Sequence, residues 1–485
     1  MIRIKNLDIL LSHGNADVRK PVLEILEAGL VASDPYENTK KLIRFENGKL
    51  IVGHKDFDVQ GLGPIVLDLS EIENIWVLGA AKAVQRMAKG LEDSLGDRLT
   101  GGAVTAKKGE GKYLKKIEVT LGGHPTPDED SVKGALKQVE IAKQVGENDL
   151  VFSLVSGGGS SLNVIPAPGL TLDDLVAVTR AVYFEGGASI NDTGVVRGQL
   201  RGNPRIELKA KHVITVETTE LWPGFGIAPA YPDPPDRKVE RRQSTPMDAI
   251  RMLKRYQAWE KIPQSVRTFL ENKARDWKPQ PSRTSYGTYG VKRRHFVVMS
   301  GEYPMQAAKR IAEGIGIKAV IIAQRLSNVE ASGASGTLCA IAREIEKRGR
   351  PLKTPSILIS GGELTVSATG GGEGGRNQEF SLAAAPYIEG SDNIVVAAAD
   401  TDGTDGPTDN AGGIVDGQTM ERAEALGIDM LGELRRHNSS AALKGLGDNI
   451  YTGAFGTNVQ DLRLVYIRGR DSFEKLIFDH SKNFR

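Results

Sequence analysis

The stretch LVFSLVS (Leu150 to Ser156) passes without a break into Gly157-Gly-Gly-Ser-Ser161, and this junction constrains the fold more than any other feature of the chain. A near-continuous apolar strand is expected where both faces of a sheet are covered, and three consecutive glycines at its end call for a loop whose backbone closely approaches something else. The pattern recurs. IWVLGA (Ile75 to Ala80) runs into AKAVQRMAKGLEDSL, and HFVVMS (His295 to Ser300) precedes a helical stretch, Glu302 to Gly314, and the strand KAVIIAQ. Buried strands alternating with helices predict an α/β fold with mainly parallel sheets flanked by helices. Ahead of them, Val18, Val22, Leu23, Ile25, Leu26 and Leu30 recur at helical spacing and predict an amphipathic helix over Asn15 to Gly29.

With 485 residues the chain can build more than one core, and the texture changes between Trp222 and Pro281, where nine of the 22 prolines fall. We therefore expect two domains, 1–285 and 286–485, the proline-rich part being the irregular end of the first with one helix in DAIRMLKRYQAWEKI. Sixty-three basic against 61 acidic side chains leave a formal charge of +2, so no global field steers nucleic acid to the surface. The single cysteine, Cys339, excludes a disulfide framework and Cys-based metal clusters. The N-terminal MIRIKNLDILLSHG has no signal-peptide pattern, and no apolar run approaches the roughly 20 residues that span a bilayer. A cytoplasmic protein with no membrane partner is expected.

Five loops place glycine and polar residues where strands end, the edge at which open α/β sheets bind ligands. Gly79-Ala-Ala-Lys82 carries a lysine into the first turn of a helix, which suits a phosphate or carboxylate; an ordinary βα turn is the alternative. Ser156, Gly157, Gly158, Gly159 and Ser160 combine backbone amides with hydroxyls, again suited to an anion, without the G-x-S-x-G spacing of a serine hydrolase. His124, in Gly123-His-Pro-Thr-Pro-Asp128, could reach a substrate or be a plain loop histidine. Ser360-Gly361-Gly362-Glu363 and the run Gly370 to Gly375 precede Arg376, whose planar fork at a helix start could meet phosphate oxygens. The run matches G-x-G-x-x-G, but five glycines in six positions match almost any glycine pattern. Finally Asp400, Asp402, Asp405 and Asp409 crowd within ten residues, hard oxygen ligands fit for Mg²⁺ or, alternatively, a set of Asx-turns. The Walker pattern GxxxxGK[ST], HExxH and paired CxxC are absent.

At these loops the sequence resembles the glycerate 2-kinase family, two-domain kinases whose C-terminal part is the MOFRL domain. SGGELTV, GGRNQE, DTDGTDGPTDNAGG and TGAFGTNVQDL match in order, as do GAAKA, GGHPTPDE and LVSGGGSSL in the first half, over residues 20 to 470. The resemblance implies a Rossmann-like first domain, a MOFRL-type second domain and an active site in the cleft between them. It also implies transfer of the γ-phosphoryl of ATP, with Mg²⁺, to the 2-hydroxyl of D-glycerate. Carried onto this sequence, Lys82 and Arg376 become the cations near the transferred phosphoryl. Gly79, Gly361, Gly362, Glu363, Gly374, Gly375, Asn377, Thr457 and Asn458 become nucleotide-binding residues, and the loop Ser156 to Ser160 with His124 becomes the substrate site.

Two segments depart from the family. Within residues 186–211 the usual lysine-glycine-glycine is missing from SINDTGVVRGQLRGNPRIELKA, though Asp192 and Arg197 keep the acidic and basic positions. Within residues 215–236 TVETTELWPGFGIAPAYPDP replaces an aspartate-bearing motif, with Glu217 and Glu220 as acidic stand-ins. Asp192 is the candidate acceptor of the hydroxyl proton or, equally, a helix cap, and Arg197 could hold the acceptor's carboxylate. A nicotinamide-dependent hydroxypyruvate or tartronate-type reductase and a non-catalytic ligand-binding relative are the competing functions. The partners expected are a small hydroxy acid and a nucleotide, with a homodimer left open.

Overall fold

Strand residues of alternating parity point to opposite sides of a sheet, and in this chain both sides are apolar, so each large sheet is the middle of a layered unit. The computed structural model describes residues 2–58, 60–188, 190–202, 208–219, 244–278, 292–327, 329–367, 371–453, 456 and 459–469. They form two compact units: one takes its residues from Pro35–Thr219 and Pro223–Val298, the other from Met1–Asp34 and Met299–Arg485.

The first unit begins with a small antiparallel meander, β1 (Ile43–Glu46), β2 (Lys49–Val52) and β3 (Ile65–Asp68). Its main sheet comprises β4 (Ile75–Ala80), β5 (Gly101–Lys107), β6 (Ile117–Gly122), β7 (Leu150–Val155), β8 (His212–Thr219) and β9 (Lys292–Ser300), in the spatial order β6-β5-β4-β7-β8-β9. The pairings from β6 to β8 are all parallel, as expected. Chain order reverses between β4 and β7, a topological switch point where the loops after two neighbouring strands diverge and leave a crevice. Gly79 lies in β4 because a Cβ there would sit 2.6 Å from the Leu154 carbonyl oxygen, so glycine is what lets β4 and β7 pair. The expected helix of the proline-rich region is present as Pro246–Arg255, capped by Thr245.

The second unit holds β10 (Lys318–Ala323), β11 (Ser356–Ser360), β12 (Ile394–Asp400), β13 (Gly412–Asp416), β14 (Asn449–Ile450) and β15 (Asp461–Ile467), ordered β10-β11-β15-β12-β13-β14. Here the parallel expectation needs correction in detail: β10 and β11 are parallel and the remaining pairings antiparallel. Parallel neighbours need a crossover helix, whereas β12 returns into β13 through a loop alone. Val395, Ala397, Leu462, Leu464 and Tyr466 face the helices Ala16–Ala32 and Glu302–Gly314. Val396, Ala398, Val465 and Ile467 face the helices Ala331–Arg348 and Arg376–Ile388.

The domain boundary at 285 is also revised. The expected amphipathic helix forms over Ala16–Ala32 with its six apolar residues buried, but they pack on the second unit's sheet. Its amphipathic spacing shows that a face is covered and does not show by which sheet. The buried Arg19 guanidinium adds a polar tie, bonding Asp416 and Asp448. At the other side the division falls within β9, beyond the proline-rich stretch. No helix among the described residues is long and apolar enough to cross a membrane.

Candidate active site

The two glycine turns at the switch point of the first unit are bonded to each other. The Lys82 amide donates to the Gly157 carbonyl oxygen at 2.9 Å, and the Ala83 amide to Ser156 Oγ at 3.1 Å. Ser156 Oγ and the Gly157 carbonyl are therefore the acceptors that lock the two turns together, and these two bonds leave the Ser156 hydroxyl hydrogen and the Gly157 amide uncommitted. Gly158, at φ +93, turns the chain where any side chain would meet the His124 ring and the Lys82 stem at 3.0 to 3.2 Å. Gly159 starts a short helix, Gly159–Leu162, and would place a Cβ 2.9 Å from the Ala80 carbonyl oxygen. Lys82, His124 and the 156–161 loop are thus brought together.

Arg197 completes this group from the helix Ile190–Leu200. The residue is 4% exposed, and its guanidinium bonds the Pro125 carbonyl oxygen at 2.7 Å, Thr179 Oγ1 at 3.2 Å and Ser160 Oγ at 3.5 Å. All three partners are neutral, and among the described residues neither Arg197 nor Lys82 has a carboxylate partner. Burial and then the neighbouring Arg201 lower Arg197 to about 10. Burial, then the charges of Lys82, Lys107 and Arg197, push His124 down to about 3, so its imidazole is neutral at any physiological pH. The crevice is cationic and, among the described residues, gives Arg197 and Lys82 no carboxylate partner, which calls for an anion from outside. Asp192, in the first turn of the same helix as Arg197, accepts a 2.6 Å bond from the Tyr256 hydroxyl. That partner was not foreseen from sequence, since it lies 64 residues away.

In the second unit Arg376 opens the helix Arg376–Ile388, but its fork is not open to phosphate as expected. Nε bonds Asp461 Oδ2 at 2.9 Å, and Nη2 bonds Asp400 at 2.7 Å and Glu363 at 3.2 Å. Burial opposes its charge, yet Asp461 and Asp400 outweigh that and hold the guanidinium above its ordinary value. Nη1 is left without a protein acceptor among the described residues. Asp461, the central acidic partner, was missed as a site residue although TGAFGTNVQDL contains it. Burial, then Asp402 and Asp461, raise Asp400 well above the usual carboxylate range.

The four aspartates of the DTDGTDGPTD loop do not act as one cluster. Asp405 caps the Arg376 helix, accepting from the amides of Asn377 and Gln378 at 3.1 and 2.9 Å and from both their side chains. Gly375 packs on that carboxylate so closely that a Cβ would collide with it. Asp405 thus spends both carboxylate oxygens on this helix start, with the Asn377 side chain beside it. Asp400 and Asp402 each accept an amide two residues on, at 3.0 and 2.8 Å, the Asx-turn alternative realised. Asp409 is exposed. Among the described residues no group of three or more His, Cys, Asp or Glu is arranged to hold a metal ion. Gly361 and Gly362 turn their carbonyl oxygens onto the buried Arg463 at 2.8 and 2.6 Å, and Gly374 abuts Ser439, so these glycines serve close packing. Thr457, Asn458 and Glu220 lie outside the described residues.

Two α/β units, one with a cationic crevice at a switch point and one with an arginine-centred carboxylate cluster, define a two-domain α/β protein. Residues 21–202 match a family described as a domain of unknown function, DUF4147, and residues 356–461 match the MOFRL family. A glycerate 2-kinase of Pyrococcus horikoshii is 36% identical, covering 94% of this chain and 99% of that protein. A crystal structure of glycerate kinase from Thermotoga maritima superposes with a TM-score of 0.74 at 31% identity, covering 93% of this chain and 99% of that one. A putative hydroxypyruvate reductase of Agrobacterium vitis is 33% identical over 81% of this chain and 98% of its own length. The chain belongs to the glycerate 2-kinase family.

Proposed function

We propose that this chain is an ATP- and Mg²⁺-dependent kinase that phosphorylates the 2-hydroxyl of D-glycerate to give 2-phosphoglycerate. The observation that carries the reading is Arg197, a buried cation with three neutral partners and no carboxylate partner among the described residues, beside Lys82 and a neutral His124. A small hydroxy acid supplies the missing carboxylate. Arg197 binds it and orients the acid, Lys82 spreads the charge that builds on the phosphoryl oxygens, and His124 offers a hydrogen bond without adding charge. Asp192, held by Tyr256, takes the hydroxyl proton.

For the nucleotide and its Mg²⁺ the second unit has an acidic side chain not committed to an ion pair and a guanidinium nitrogen with no protein acceptor among the described residues. Asp402 is half-buried, has hard oxygen donors and makes no ion pair among the described residues, while Arg376 retains Nη1 for a phosphate oxygen. Bound there, Mg²⁺ would neutralise phosphate charge. Arg376 meanwhile keeps Asp400, Asp461 and Glu363 ordered.

The test is direct: ADP release from ATP and Mg²⁺ with a panel of hydroxy acids, the product position read by ³¹P NMR, and NAD(P)H oxidation with hydroxypyruvate in parallel. Acid-dependent ADP release with phosphate on the 2-oxygen is the expected outcome. Cofactor oxidation without ADP release, or binding without any turnover, would overturn it.

A further inference from the structure

Lys107 is the last residue of β5 and has so far entered only through its charge on His124, with no ligand assigned to it. Its position is set by register. Ala80 of β4 pairs with Thr105 of β5, so Lys82 and Lys107 both stand two residues beyond that pair, on neighbouring chains leaving the same edge. Lys107 in turn pairs with Gly122 of β6, two residues before His124. The lysine therefore borders the crevice at the level of Lys82 and His124.

The next residue gives a contrast. Lys108 is neutralised by Asp128 and Asp130 at 2.6 and 2.8 Å, whereas Lys107 forms no ion pair among the described residues. Its charge is felt in the site, being one of the three that disfavour protonated His124. Glu110 lies within electrostatic range of Lys107 without an ion pair to it; its carboxylate accepts a 2.9 Å bond from Gln85, and burial raises its pKa. Lys82 and Lys107 thus leave the same sheet edge, and with Arg197 they place around His124 three cations that have no ion-pair partner among the described residues. A hydroxy acid brings a single negative charge, too little to match it. The same acid carrying a phosphoryl group brings about 1.5 to 2 more.

We propose that Lys107 is a third cation of the acceptor site and that, with Lys82 and Arg197, it makes this site hold the phosphorylated acid more tightly than the unphosphorylated one. The inference rests on the kinase reading and adds that the site is charge-matched to product, so product competes with the acid for it. Lys107 then acts on the phosphoryl group, and its loss falls on one ligand and not the other.

Calorimetric titration of the full chain with 2-phosphoglycerate and with D-glycerate, in the absence of nucleotide, tests this. Wild-type protein should bind 2-phosphoglycerate more tightly, with the steeper salt dependence. Lys107→Gln should weaken 2-phosphoglycerate about tenfold, roughly 1.4 kcal/mol, while changing D-glycerate less than about twofold. Lys107→Arg should restore the difference, and Lys108→Gln should leave it intact. Equal wild-type affinities, or a Lys107→Gln change that is absent or the same for both ligands, would overturn the proposal. ADP release by the same wild-type sample keeps the two readings apart: a working kinase indifferent to Lys107→Gln refutes the role of Lys107 alone.

Discussion

Replacing Arg197 by methionine should leave the fold as stable or more stable while removing acid binding, an outcome opposite to that of deleting a structural arginine. Burial lowers Arg197 from its ordinary 12.5 to about 10. At roughly 1.4 kcal/mol per tenfold, that is about 3 kcal/mol held against the charged form. A depressed base costs stability everywhere below its folded value, so the cost is in force at neutral pH. Methionine removes it and forfeits bonds to Pro125, Thr179 and Ser160, worth about 1 kcal/mol each. The two nearly cancel, and the melting temperature of ligand-free protein should stay within a few degrees or rise. D-glycerate should then protect wild-type protein against heat and fail to protect Arg197→Met. The KM for the acid should rise about 30-fold or more, since an unpaired anion in a buried site costs on the order of 2 to 5 kcal/mol. Thermal melts with and without D-glycerate, alongside steady-state kinetics, read both quantities. A variant that melts well below wild type yet binds the acid normally would show that Arg197 holds the helix and not the substrate.

Lys82→Ala should lower kcat on the order of 10²-fold with an unchanged melting temperature, because Lys82 has no ion pair to lose among the described residues. Asp402→Asn should raise the Mg²⁺ concentration needed for half-maximal rate, whereas Asp405→Ala should destabilise by about 2 kcal/mol or more at unaltered Mg²⁺ dependence, since it uncaps a buried helix start. Arg376→Ala should destabilise by about 3 to 5 kcal/mol, measured by denaturant titration, because Asp461 and Asp400 stay buried without their cation. His124, lowered to about 3, carries no protonation cost above about pH 6.5, and that cost grows as pH falls toward 3 because only the unfolded chain takes up the proton, so His124→Gln should flatten the acid limb of the melting curve.

Much of the first unit is legible in its sequence because the physics is local. An apolar run of six residues followed by glycine can be read without knowing its neighbours, and β4 and β7 form where IWVLGA and LVFSLV predict them. Their adjacency follows from chain order alone once the sheet reverses between them, and it brings Lys82, His124 and the glycine loop together. What could not be read is that the loop also supplies acceptors to the neighbouring turn. Ser156 and Gly157 look like donors to an anion by composition, and they also accept from the amides of Ala83 and Lys82, a pairing across more than 70 residues.

The carboxylate loop shows the same limit more sharply. Four aspartates in ten residues suggest one cation site because like charges need compensation, and the structure supplies that compensation separately at each position. Asp405 takes the amides of a helix start 28 residues away, and Asp400 takes an arginine 24 residues away. Both partners lie in GGRNQE, so the two motifs are halves of one structure: the glycines of the first let the backbone reach the aspartates of the second. Asp402, which meets neither, is left with charge to spare. A change at a motif residue should therefore be judged by the partner it strands, and motif membership alone does not separate residues that build the cluster from the one that can meet a ligand.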